Sequence, residues 1–81
     1  MKIFQHINIE DDSRKPKYIQ IVDSIIENIN DGNLSIGEKI PSINNLSEEF
    51  LISRDTVEKS YNILKKRKII TAVRGKGYYV T

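Results

Sequence analysis

The 81-residue sequence predicts an α+β fold, a winged helix-turn-helix of three helices closed by a small C-terminal β-hairpin. Three observations carry this. The stretch Ile40-Pro41-Ser42-Ile43-Asn44-Asn45-Leu46 opens a short helix behind a capping serine. Ser53-Arg54-Asp55-Thr56-Val57 opens another, and Gly75-Lys76-Gly77-Tyr78-Tyr79-Val80 ends in a basic hairpin. Each signal is weak alone; their order and close spacing make the pattern specific.

The elements follow in chain order. Residues 3–9 (Ile-Phe-Gln-His-Ile-Asn-Ile) alternate partly and predict a short extended arm. Glu10-Asp11-Asp12-Ser13-Arg14-Lys15 reads as a polar lead-in, so residues 1–15 are assigned to an N-terminal arm and 16–81 to the folded domain. Pro16 suits the first turn of a helix, where a missing N–H costs nothing. That helix is expected to run to about Asn30, because Tyr18, Ile21, Val22, Ile25, Ile26 and Ile29 share one face at helical period. Asp31-Gly32-Asn33 ends it, with Gly32 suited to the left-handed C-terminal position. Lys39-Ile40 is expected as one short strand.

Ser42 caps a second helix reaching about Phe50, with Leu46 and Phe50 facing inward. Leu51-Ile52 form the turn. Ser53 caps the third helix, whose buried stripe is Val57, Tyr61 and Leu64. Its opposite face carries Arg54, Asp55, Glu58, Lys59 and Asn62, then Lys65 and Lys66. Ile69–Val73 and Tyr78–Val80 are expected as strands flanking Arg74-Gly75-Lys76-Gly77.

Composition narrows the function. Without cysteine there is no disulfide framework and no thiolate metal site, and the single histidine, His6, has no second to pair with. No apolar run approaches the roughly 18 residues that span a membrane, and the first residues lack a signal-peptide core. The cytoplasm is the expected location. Residues 1–40 carry five Lys/Arg against seven Asp/Glu, whereas 41–81 carry eight against four. Lys65 to Lys76 contains six bases and no acid. A one-sided basic end suits a polyanion partner, although lysines also favour a helix C-terminus. No nucleophile, base and orienter are recognisable, so no enzyme activity, metal or cofactor is expected.

The third helix has what a major-groove reader needs: a short element, polar at its N-terminal end. Arg54 can bond guanine through two N–H groups, and Asp55 or Glu58 can accept from a cytosine amino group. Ser42, Ser53 and Thr56 can bond phosphate. The plain alternatives are that Arg54 and Glu58, at i and i+4, pair with each other, and that the serines are only caps. Arg74-Gly75-Lys76-Gly77 lacks the strand-to-helix context of a nucleotide loop. It is a surface hairpin or, as favoured here, a wing reaching phosphates or the minor groove. Tyr61 belongs in the core by its spacing. Tyr78 and Tyr79 point to opposite faces of a strand, one packed and one exposed.

These residues resemble the DNA-binding domain of the GntR family of bacterial transcription regulators. The likeness runs from Pro16 to Val80 through Pro16-x-Tyr18-x-Gln20-Ile21, Gly32-x-Leu34-x-x-Gly37, Ile40-Pro41-Ser42, Leu46, Ser53-Arg54-x-Thr56-Val57, Leu64, Ile69-Ile70 and Gly75-x-Gly77-x-x-Val80. The resemblance implies binding to double-stranded operator DNA, repression relieved by a small effector, operator contacts from Arg54 and Thr56, and entry of the Gly75 region into the minor groove. It implies a homodimer, formed on DNA or through a C-terminal domain beyond this sequence. Asn44 stands where the family usually has a DNA-contacting arginine, and Glu58 where a basic residue is common. Lys68 replaces a usual glycine, and a left-handed lysine there would cost about 1 kcal/mol. The rival expectation is a winged helix that docks another protein without reading DNA sequence.

Overall fold

A computed structural model describes residues 2–11 and 14–81. Asp12 and Ser13 of the expected polar lead-in, and Met1, lie outside the described residues. A 3-10 helix (Lys2–His6) precedes α1 (Lys17–Asn30), β1 (Lys39–Ile40), α2 (Ile43–Phe50), α3 (Arg54–Lys66), β2 (Ile70–Val73) and β3 (Gly77–Val80). The three strands form one antiparallel sheet in the order β1-β3-β2.

The core is where the apolar stripes meet. Ile21, Val22 and Ile25 of α1 close against Leu46 of α2, Val57, Tyr61 and Leu64 of α3, and Ile40, Ile70 and Val80 of the sheet. Burying each such aliphatic side chain contributes roughly 1.5–3 kcal/mol. Tyr61 is the largest fully buried side chain; its hydroxyl donates to the Pro41 carbonyl at 2.5 Å, tying α3 to the β1–α2 junction. Ser60 fastens α3 to α1 by donating to the Tyr18 carbonyl at 2.9 Å.

The N-terminal segment departs from the extended arm expected at residues 3–9. Lys2–His6 winds as a 3-10 helix, with three residues per turn, so the partial alternation of this stretch does not make it a strand. Ile3 and Ile7 enter the core, and Phe4 meets Phe50 edge to face with ring centroids 6.0 Å apart. The segment lies against a polar stripe of α1, the buried residues Gln20, Ser24 and Asn28. Asn28 donates to the His6 carbonyl at 3.2 Å and to the Ser24 carbonyl at 2.7 Å.

The turn between α2 and α3 is fixed by Ser47. Its carbonyl accepts the Ile52 N–H at 3.1 Å while its hydroxyl donates to the Ile52 carbonyl. Leu51 between them takes the left-handed conformation, φ 54, and is almost fully exposed. Lys68 after α3 is likewise left-handed, φ 60, as its replacement of glycine anticipated. There the Ile69 N–H returns to the Leu64 carbonyl at 2.9 Å, which draws Ile69 into the turn and starts β2 at Ile70 rather than at the expected Ile69. Gly77 pairs with Val73, so β3 begins one residue before the expected Tyr78.

Tyr78 is the packed member of the pair, against the core, whereas Tyr79 is half-buried rather than exposed. Tyr78 meets Tyr61 edge to face at 4.9 Å. Tyr79 sits between Lys39 of β1 and Thr71 of β2, because β3 is the central strand.

Candidate nucleic-acid interface

Two caps aim the polar ends of α2 and α3. Ser42 accepts the Asn45 N–H at 3.0 Å. Ser53 accepts the Thr56 N–H at 3.3 Å, and the Ser53 and Thr56 hydroxyls share a bond at 2.8 Å. Both serines are therefore caps, and Thr56 spends its hydroxyl on the same cap. Asn44, Ser53 and Arg54 stand on the exposed surface.

Burial of Val57, Ser60, Tyr61 and Leu64 turns the other side of α3 to solvent. Asp55, Glu58, Lys59, Asn62, Ile63 and Lys66 line a shallow groove there. Among the described residues the ion pairs within 4 Å are Lys15–Asp23 and Lys17–Asp11, so the suggested Arg54–Glu58 pair is not formed. The carboxylate of Asp11 is held below its usual range by the hydrogen bond and charge of Lys17. Lys59 places its ammonium 4.0 Å from the centre of the Tyr18 ring, so part of its charge serves α1.

A second groove runs between the β1–α2 junction and the wing. Lys39, Ser42, Asn45, Arg74, Lys76 and Gly77 are among its lining residues. The turn Arg74-Gly75-Lys76 is exposed, closed by the Lys76 N–H to the Val73 carbonyl at 2.9 Å, and Gly75 has φ +77. Gly77 has φ +126, and a Cβ there would meet the Lys39 Cε at 3.0 Å. The bare glycine thus lets the lysine stem lie across the wing.

The structure brings Ser42, Arg74, Gly75 and Lys76 into one groove and Asp55, Glu58 and Lys59 into the other. Lys39 and Asn45 also line the second groove, beyond the residues to which the sequence motifs point. The available signals were a two-residue strand with its basic member outward and the position of Asn45 at the N–H that Ser42 caps. Convergent bases with hydroxyl and amide groups suit phosphate oxygens; the mixed donors and acceptors of α3 suit base edges. Among the described residues no group of three His, Cys, Asp or Glu is placed to hold a metal ion, and no helix is long and apolar enough to cross a membrane.

Comparison with known proteins bears on this geometry. The sequence profile for bacterial regulatory proteins of the gntR family matches residues 17–80. The mannosyl-D-glycerate transport/metabolism system repressor MngR of Escherichia coli (strain K12) is 39% identical over 66 residues, covering 82% of this chain and 28% of that protein. The transcriptional repressor YtrA of Bacillus subtilis (strain 168) is 33% identical over 75 residues, covering 93% of this chain and 58% of that protein. The chain therefore spans less than two thirds of either relative. The crystal structure of the AraR DNA-binding domain in complex with operator ORX1 superposes with a TM-score of 0.82 at 30% identity, covering 94% of this chain and 98% of that one.

Proposed function

The chain belongs to the gntR family of bacterial regulatory proteins and carries its winged helix-turn-helix DNA-binding domain, and on that premise we propose that it reads a double-stranded operator and represses transcription in the bacterial cytoplasm. α3 enters the major groove. Arg54, Asp55, Glu58 and Lys59 face base edges or the flanking backbone, while Ser42, Asn44, Ser53 and Thr56 lie against phosphates at the helix N-termini. Arg74, Gly75 and Lys76 reach the minor groove or its phosphates. The protein acts as a homodimer, on the operator or through a further domain.

The observation that carries this reading is the exposed polar face of α3, with no ion pair between Arg54 and Glu58, together with a second groove that holds Lys39, Arg74 and Lys76. Repressors among the relatives and an operator-bound structural neighbour support it. Selection of bound duplexes from a random pool tests it. A reproducible consensus is expected; retention without any consensus would point instead to a sequence-blind or protein-docking module.

A further inference from the structure

Arg54 and Glu58 stand one turn apart on α3, both exposed. Four residues advance about 6 Å along a helix, between one and two base-pair steps of about 3.4 Å, and the long arginine stem lets its head reach the pair next to the one that Glu58 faces. Neither side chain serves the fold: the buried stripe is Val57, Ser60, Tyr61 and Leu64, and no ion pair joins the two.

The chemistry of Glu58 is restrictive. An ionised carboxylate only accepts hydrogen bonds. In the major groove guanine shows N7 and O6, and thymine shows O4, all acceptors that repel it. Adenine's N6 donor lies between two acceptors, its own N7 and the paired thymine's O4, whereas cytosine's N4 donor has an acceptor, the paired guanine's O6, on one side only. Phosphates repel it too. A carboxylate on this face is therefore tolerated at one kind of base edge and rejected at others. Arg54 has the reverse requirement and is satisfied at guanine.

We propose that Arg54 and Glu58 act together as a donor and an acceptor that select two neighbouring G·C pairs, guanine facing Arg54 and cytosine facing Glu58. This rests on the DNA-reading function above. Glu58 thereby supplies specificity at the expense of general affinity, and the bases of the wing groove supply the affinity.

Selection from random duplex DNA with the whole chain, compared across variants, tests the assignment. The wild-type consensus is expected to contain adjacent G·C pairs in each half-site. Glu58→Gln should change the cytosine position to adenine, because an amide bonds adenine N6 and N7 together, while the guanine position stays. Arg54→Ala should relax the guanine position alone. Measured on single-site variants of the consensus, each preference should be roughly tenfold to hundredfold. Both sites are exposed, and unchanged melting would show that folding is intact. A Glu58→Gln consensus identical to wild type, or a wild-type consensus without adjacent G·C pairs, overturns the proposal. A wild type that selects no consensus overturns the DNA-reading function along with it.

Discussion

Gln20 grips the backbone of Glu10 from both sides. Its side-chain oxygen accepts the Glu10 N–H at 2.7 Å, and its amide nitrogen donates to the Glu10 carbonyl at 3.0 Å. The same nitrogen donates to the Lys15 carbonyl at 2.9 Å. One side chain of α1 thus closes the loop that brings Ile3 and Ile7 into the core.

Gln20→Ala removes all three bonds and leaves backbone groups without their partner. A loss of about 2–4 kcal/mol is expected, read by thermal or urea denaturation. Gln20→Glu should be intermediate, since a carboxylate still accepts from Glu10 but cannot donate. A Gln20→Ala chain as stable as wild type would show that the segment adds nothing to the domain.

Relief of strain should stabilise. Leu51 and Lys68 are left-handed at φ 54 and 60, a conformation that costs a branched or long side chain roughly 1 kcal/mol. Glycine removes that cost but adds freedom to the unfolded chain. Each of Leu51→Gly and Lys68→Gly should gain up to about 1 kcal/mol, which is several degrees of Tm for a domain this size. A fall in Tm for both would mean that the side chains make contacts outweighing the strain.

What was legible in the chain followed from short-range periodicity. Ile21, Val22 and Ile25 repeat with the helix, and Ser42 and Ser53 sit one residue before their helices, so the helices and caps could be read directly. The polar stripe Gln20, Ser24 and Asn28 has the same period, yet polar residues read as surface until the N-terminal segment covers them. Lys39 became a candidate only because strand pairing sets β1 beside β3, bringing it to Gly77 from 38 positions away. No local pattern encodes that meeting. The exposed face of α3 was legible as the complement of its buried stripe, but the engagement of Lys59 with Tyr18 depends on how α1 crosses α3.

Alkaline pH should act through Tyr61. Burial, with Tyr78 nearby adding to it, holds its phenol well above the ordinary range. The folded state therefore keeps the proton longer than the unfolded chain, whose tyrosines titrate near about pH 10. The stability this contributes is fully present below that pH and is lost as pH rises towards the folded value. Tm should fall above about pH 10. Tyr61→Phe should cost about 1–3 kcal/mol at neutral pH, because the Pro41 carbonyl loses its donor, and should flatten the alkaline fall. Parallel alkaline limbs in the two proteins would remove Tyr61 as the cause.

The wing groove should show itself in salt. Lys39→Ala is expected to reduce the slope of log K against log salt by about 0.9, the value of one phosphate contact. Gly77→Ala should do the same indirectly, since its Cβ would press on the Lys39 stem at 3.0 Å. Lys39→Arg should restore the slope. If Lys39→Ala keeps the wild-type slope, the lysine does not reach the duplex.

The central claim is that α3 and the wing together distinguish one duplex sequence from another. Fluorescence anisotropy tests it most directly, with a labelled duplex of the selected consensus and one of the same composition in scrambled order, both at one salt concentration. The consensus should bind at least about tenfold more tightly, the value of a single good bidentate base contact. Arg54→Ala should narrow that gap by the share of one base contact, about tenfold or more, while leaving the scrambled duplex nearly unaffected. Equal Kd values for the two duplexes would contradict the account.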